Sequence, residues 1–240
     1  MKKLTLLILL LFSLKGSASH LNGGEIYWEC QGNGDYVFTL VLYRDCNGIP
    51  LGQNPETINT NAPSGNITVN FVSKKDIVFP CYDSQLLRTC ATAESNLGYD
   101  LIGAKEKYIY QSNPISLVGT PPVSGWDFYW TSCCRPPSTV NSNANNYTLR
   151  AKMFENSMGG CLYDSPRFMD DALMVFRQNG SFSSLASTFS SGDSIAHNFS
   201  PSWDAINSPV FFQPGFSYNH PFPDTSESSL NDPVTIDTQT

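Results

Sequence analysis

Seven cysteines and three histidines are the residues of this chain with the most obvious chemical potential, and their spacing decides which chemistry is open to them. Cys133 and Cys134 are adjacent and lead into Arg135, Pro136 and Pro137; the others are Cys30, Cys46, Cys81, Cys90 and Cys161. No two form a C-x-x-C pair, and none joins a histidine at zinc-ligand spacing, so no metal site is expected. Disulfide formation is the chemistry that remains, provided the compartment is oxidising. All seven are disulfide candidates, and an odd number leaves one free or bonded to another chain. Cys81 and Cys90 flank a short polar loop and are expected to pair locally. Neighbouring residues on a strand point to opposite faces, so Cys133 and Cys134 are expected to bond to different segments, reaching Cys30 or Cys46.

Catalysis needs groups that titrate or attack, and the chain offers few in a usable pattern. His20, His197 and His220 have no readable partners, and Asp170 and Asp171 would face apart on a strand. There is no G-x-S-x-G, H-E-x-x-H or P-loop pattern. The reading is a non-enzyme, with no catalytic residue and no cofactor. Aromatic residues make up 12% of the chain, and Tyr27, Trp28, Trp126 and Trp130 are candidates for a sugar-binding face. The alternative role for such residues is core packing.

Residues 1–19 bear on the compartment. Lys2 and Lys3 precede an apolar run over 4–14, and Gly16, Ser17, Ala18 and Ser19 follow it. A charged start, a short apolar stretch and a small-residue exit are the marks of a cleaved secretory signal. The run is too short to span a bilayer, so no integral membrane segment is expected after cleavage. The formal net charge of −7 argues against nucleic acid and against anionic membrane surfaces as partners.

The elements that must carry these residues read as strands. Ile67, Val69 and Phe71 alternate with Thr68 and Asn70; Trp126, Phe128 and Trp130 alternate with Asp127, Tyr129 and Thr131; Tyr147, Leu149, Ala151 and Met153 alternate with Thr148, Arg150 and Lys152. The stretch 36–43, Y-V-F-T-L-V-L-Y, is apolar on both faces apart from Thr39 and predicts a central strand. Seventeen glycines and sixteen prolines punctuate the chain with turns. The expected fold is all-β, a disulfide-braced sandwich-like domain over 20–205. Residues 206–240 would start a second, immunoglobulin-like β domain or cap the first.

Four stretches together carry a resemblance: H-L-N-G-G-E-I-Y-W-E-C from His20, Y-V-F-T-L-V-L-Y-R-D-C-N-G from Tyr36, S-C-C-R-P-P-S from Ser132 and N-S-P-V-F-F from Asn207. In this order they resemble the N-terminal region of large secreted surface proteins of gliding bacteria. The resemblance implies an exported β region followed by immunoglobulin-like repeats of the polycystic-kidney-disease type and a type IX secretion sorting domain. Over residues 224–230 Asp224, Ser229 and Leu230 match an acidic calcium-type element of the family, but Ser226, Glu227 and Ser228 depart from it, so no metal site is carried over. The function expected is a non-enzymatic, adhesin-like or motility-associated module at the cell surface, taking a glycan or a protein as its ligand. A carbohydrate-binding module using exposed aromatics is the alternative.

Overall fold

A computed structural model describes residues 21–46, 48–77, 90, 104–133, 135, 141–142, 146–155, 163–169, 171, 187–188 and 195–221. The expected signal segment, Cys81, Cys134, Cys161 and the element near Asp224 lie outside the described residues. Twelve strands follow in chain order: β1 (Leu21–Cys30), β2 (Asp35–Asp45), β3 (Glu56–Thr60), β4 (Ile67–Ile77), β5 (Lys105–Gln111), β6 (Ile115–Ser116), β7 (Trp126–Cys133), β8 (Asn146–Met153), β9 (Arg167–Phe168), β10 (Ser187–Thr188), β11 (Trp203–Ala205) and β12 (Ser208–Pro209). Ten of them form one sheet in the order β1-β2-β5-β4-β3-β7-β8-β11-β12, with β6 also on β2, and every pairing is antiparallel.

The sheet curls into a half-barrel. A right-handed twist accumulates from strand to strand, and the curl brings β1 against β8. The second glycine of H-L-N-G-G-E makes that approach possible. A Cβ on Gly24 would lie 2.7 Å from Leu149 Cδ1 and 2.3 Å from the Val41 carbonyl oxygen, so no larger residue fits. Gly23 is less constrained, since a Cβ there would meet the Tyr147 hydroxyl at 3.4 Å, an ordinary van der Waals contact.

Period-2 alternation fixes what faces inward. Ile26 and Trp28 of β1, Phe38, Leu40 and Leu42 of β2, and Tyr108 and Tyr110 of β5 join Ile58, Ile67 and Val69 from β3 and β4 in one core. Trp126, Phe128 and Trp130 of β7 and Leu149 and Met153 of β8 close it. Phe38 and Phe128 meet at its centre with ring centroids 4.7 Å apart, and Trp28 packs on Phe128 at 5.8 Å. The expected central strand is β2, flanked by β1 and β5 and buried on both faces from Val37 to Arg44. The three alternating runs become β4, β7 and β8, each with its apolar set turned inward.

The expectation of a sugar-binding face on the tryptophans is overturned here. Trp28, Trp126 and Trp130 are 7%, 5% and 5% exposed. The Trp130 indole N–H is used inside, donating to Glu56 Oε2 at 2.9 Å. Tyr27 lies on the outer face, under the Arg167 guanidinium at 5.6 Å, and packs on Val41, Tyr43 and Ile77. The alternation was legible, but the apolar half of the pattern is the one that goes inside.

Both ends of the sheet are protected, as exposed edges must be. β12 ends the sheet with Pro209, which has no N–H to offer. The turn before it holds Asn207 at φ 65°, a conformation that asparagine tolerates better than most residues. At the other end, residues 163–169 strap the edge of β1. Ser165 N–H donates to the Trp28 carbonyl at 2.9 Å. In return Trp28 N–H donates to Ser165 Oγ at 2.9 Å, and Cys30 N–H donates to Asp164 Oδ1 at 2.7 Å.

Candidate functional site

Three polar clusters stand on this sheet, and what each can do follows from which face it occupies. The first is sealed at one end of the half-barrel. Arg44 continues the inward register of Phe38, Leu40 and Leu42, and Glu106 that of Tyr108 and Tyr110, so a cation and an anion are both driven inside. Arg44 is fully buried and Glu106 is 5% exposed. Arg44 Nη2 lies 3.1 Å from Glu106 Oε2, Nη1 donates to the Gly48 carbonyl at 3.0 Å, and Nη2 also reaches Cys90 Sγ at 3.3 Å. The Tyr108 hydroxyl donates to Glu106 Oε2 at 2.9 Å, and Lys74 Nζ lies 3.1 Å from Oε1. Burial and the neighbouring carboxylate push the Tyr108 hydroxyl up to about 12. A charge inside a sheet demands such pairing; of the guanidinium nitrogens only Arg44 Nε has no partner among the described residues. The arginine of Y-R-D-C therefore belongs to the fold.

The cysteine of the same motif does too. Cys46 is bonded to Cys90 across a sequence separation of 44, with Cα atoms 5.2 Å apart. This overturns the expected local pair of Cys81 with Cys90, and it closes Cys46 as a partner for Cys133 or Cys134. The reason is the sheet: Cys46 N–H donates to the Ala104 carbonyl beside β5, and Cys90 N–H donates to Asp76 Oδ1 on neighbouring β4. Adjacent strands thus bring together two cysteines that sequence distance keeps apart. Cys30 and Cys133 each take part in a disulfide as well. Cys46, Asp76 and Cys90 form a group of metal-ligand type. However, the two sulfurs are spent on each other, and the Arg44 guanidinium beside Cys90 opposes a cation.

The second cluster is the strap over the outer face of β1, β5 and β4. Asp171 holds Lys107 and Lys75 at 2.8 Å each, Arg167 pairs with Glu29, and Phe168 N–H donates to Glu25 Oε2 at 3.2 Å. Burial pushes the Glu25 carboxyl up against these opposing charges. Burial also works on Asp171, but the two ammonium groups outweigh it and hold that carboxyl below its ordinary value. Here paired charges fasten a segment. A related clamp uses the arginine of C-C-R-P-P. Arg135 Nε donates to the Asn146 carbonyl at 2.7 Å, and its guanidinium lies 4.6 Å from the Tyr147 ring centroid. It too is structural.

The third cluster lies on the outer face of β3, β7, β8 and β11. Asn59, Tyr129 and Arg150 are direct cross-strand neighbours in one row, and Asp127 faces Lys152 in the next. Arg150 Nε donates to Asp127 Oδ1 at 2.7 Å, and its guanidinium stacks 5.1 Å from the Trp203 ring centroid. Asp127 N–H is fixed by Asn61 Oδ1 at 2.8 Å. This row is where open polar groups converge. Sequence reasoning named none of Asn59, Tyr129, Arg150 and Trp203 as site residues, although it had marked Tyr129 and Arg150 as the wet half of their strands.

No family model, no curated protein and no solved structure matches the chain. Among the described residues no helix is long and apolar enough to cross a membrane.

Proposed function

We propose that this chain is an exported, non-enzymatic module of the cell surface or extracellular space, adhesin-like or motility-associated. The observation that carries the reading is the buried Cys46–Cys90 bond at the heart of the Y-R-D-C motif. A disulfide built into a fold needs an oxidising compartment, and the charged and apolar start of the chain offers the route to one. The motifs behind the resemblance support the reading in a second way. Gly24, Arg44, Cys46 and Arg135 all serve the sheet, so a protein of this kind would keep them as scaffold, whatever it binds.

The finer expectations belong with this proposal: type IX secretion, immunoglobulin-like repeats beyond the chain, and a sandwich-like domain over 20–205. Support for the sandwich comes from β1 lying against β8 across the core. For residues 206–240, the pairing of β12 with β11 favours the cap over a separate domain. A second reading, a carbohydrate-binding module, moves from the buried tryptophans to the open row of Tyr129 and Arg150.

N-terminal sequencing of the protein recovered from the cell surface or the culture medium tests export. The expected first residue is Ser19 or His20. Protein that retains Met1 and stays in the cytoplasm would refute the proposal.

A further inference from the structure

We propose that the row Asn59–Tyr129–Arg150 on the outer face of the sheet binds a short acidic saccharide, with Arg150 gripping a sugar carboxylate. The site deepens the carbohydrate-binding reading and does not depend on export, since binding is measured on the purified protein.

The first observation is how Arg150 is held. Its Nε is engaged by Asp127 and one face of its guanidinium by Trp203, which fixes the plane of the fork. Its two terminal nitrogens have no partner among the described residues, and its side chain is 18% exposed. A guanidinium oriented through Nε and a ring presents its terminal N–H groups in the geometry that matches a carboxylate. An arginine serving only the fold spends those groups on the protein, as Arg44 does.

The second observation is what lies beside it. Tyr129 is directly opposite Arg150 on β7, and its hydroxyl has no partner among the described residues. Asn59 is opposite Tyr129 on β3; its Oδ1 accepts from Asn66 Nδ2 at 3.1 Å, which leaves its own amide N–H groups to donate. Cross-strand neighbours have Cβ atoms about 5 Å apart, so the fork, the phenol and the amide stand in a line about the length of two sugar rings. Phenol and amide groups on a flat sheet suit the hydroxyls and shallow shape of a saccharide.

The third observation is charge. Arg150 and Lys152 outnumber Asp127 on this patch, whereas the chain as a whole carries −7. A long polyanion is repelled by the molecule at a distance. A short acidic ligand gripped through hydrogen bonds is not, and that favours an oligosaccharide over a polyanionic chain.

The test is calorimetric titration of the purified protein with oligogalacturonate, beside neutral oligogalactose, a sulfated oligogalactose and oligoglutamate. Oligogalacturonate is expected to bind and neutral oligogalactose not to. Arg150→Lys, which keeps the charge and loses the fork, should weaken binding about tenfold or more. Tyr129→Phe keeps the ring and loses only the hydroxyl. It should also weaken binding, at an unchanged melting temperature, and it decides the matter should Arg150→Lys fail to fold. Absence of oligogalacturonate binding, or wild-type affinity in Tyr129→Phe, overturns the site. Preference for the sulfated ligand overturns the carboxylate, and equal affinity for oligoglutamate overturns the saccharide.

Discussion

Arg44 and Arg150 occupy opposite faces of one sheet, and they use opposite ends of the same side chain. Arg44 spends its terminal nitrogens on Glu106, Gly48 and Cys90, and its Nε is the atom left without a partner. Arg150 spends Nε on Asp127 and leaves its terminal nitrogens open. Strand parity makes the difference. Arg44 follows Leu42 by two residues and faces the core, whereas Arg150 follows Leu149 by one and faces water. A guanidinium inside the sheet has to be consumed by the fold, while one outside can be held in place and still be offered to a ligand.

The largest expected effect breaks the sealed end. Arg44→Ala leaves the Glu106 carboxylate buried with only Lys74 and Tyr108 for company, and should cost about 3–5 kcal/mol. Arg150→Ala should cost clearly less, because Asp127 lies on the outer face and keeps Lys152 at 3.7 Å. Urea unfolding of the two variants side by side checks this. Equal losses would erase the distinction between the faces.

Next in size is the bridge beside Arg44. Replacing Cys46 and Cys90 together by alanine frees a loop closed across 44 positions, and should lower stability by about 4 kcal/mol on loop-closure grounds. Thermal melting of the wild type beside the double variant measures the loss. If the two melts coincide, the bond does not brace the domain.

A smaller effect sharpens the sealed end through pH. The Tyr108 hydroxyl is raised from 10.0 to about 12 in the fold. A folded-state value above the unfolded one contributes stability in full below pH 10, and that stability is lost as pH rises towards 12. Unfolding free energy should therefore fall over this window in the wild type and fall less in Tyr108→Phe. An identical slope in both would show that the cluster around Glu106 leaves Tyr108 unperturbed.

The smallest effect lies in the strap. Asp171 is held below its ordinary value by Lys107 and Lys75, so its contribution is present above the unfolded value of 3.8 and lost as pH falls below it. Asp171→Asn should remove that part of the acid dependence while leaving the core intact, which hydrogen exchange of β2 would register as unchanged protection.

Much of the sheet was legible because its signal is local. β2, β4, β7 and β8 stand where alternation or a two-faced apolar run placed them. Partners across the sheet were not legible. Nothing local says that β4 and β5 return beside the end of β2, and this return is what brings Cys90 to Cys46. The tryptophans misled for a different reason. Trp126 and Trp130 offer ring faces to a sugar only if they point outward, and the weight of apolar area on their side of β7 turns them in. The open row could have been found by the same parity. Tyr129 and Arg150 are the residues that alternation leaves outside once Phe128 and Leu149 are given to the core.

The central claim is that the Cys46–Cys90 bond braces this sheet. Non-reducing peptide mapping of the folded protein isolated from its own cells and medium tests that claim most directly, with free thiols alkylated before digestion. The account predicts one linked peptide pair that joins Cys46 to Cys90, with no alkyl label on either residue. Alkylated Cys46 and Cys90 in folded protein would contradict it, and so would a bond from Cys90 to Cys81.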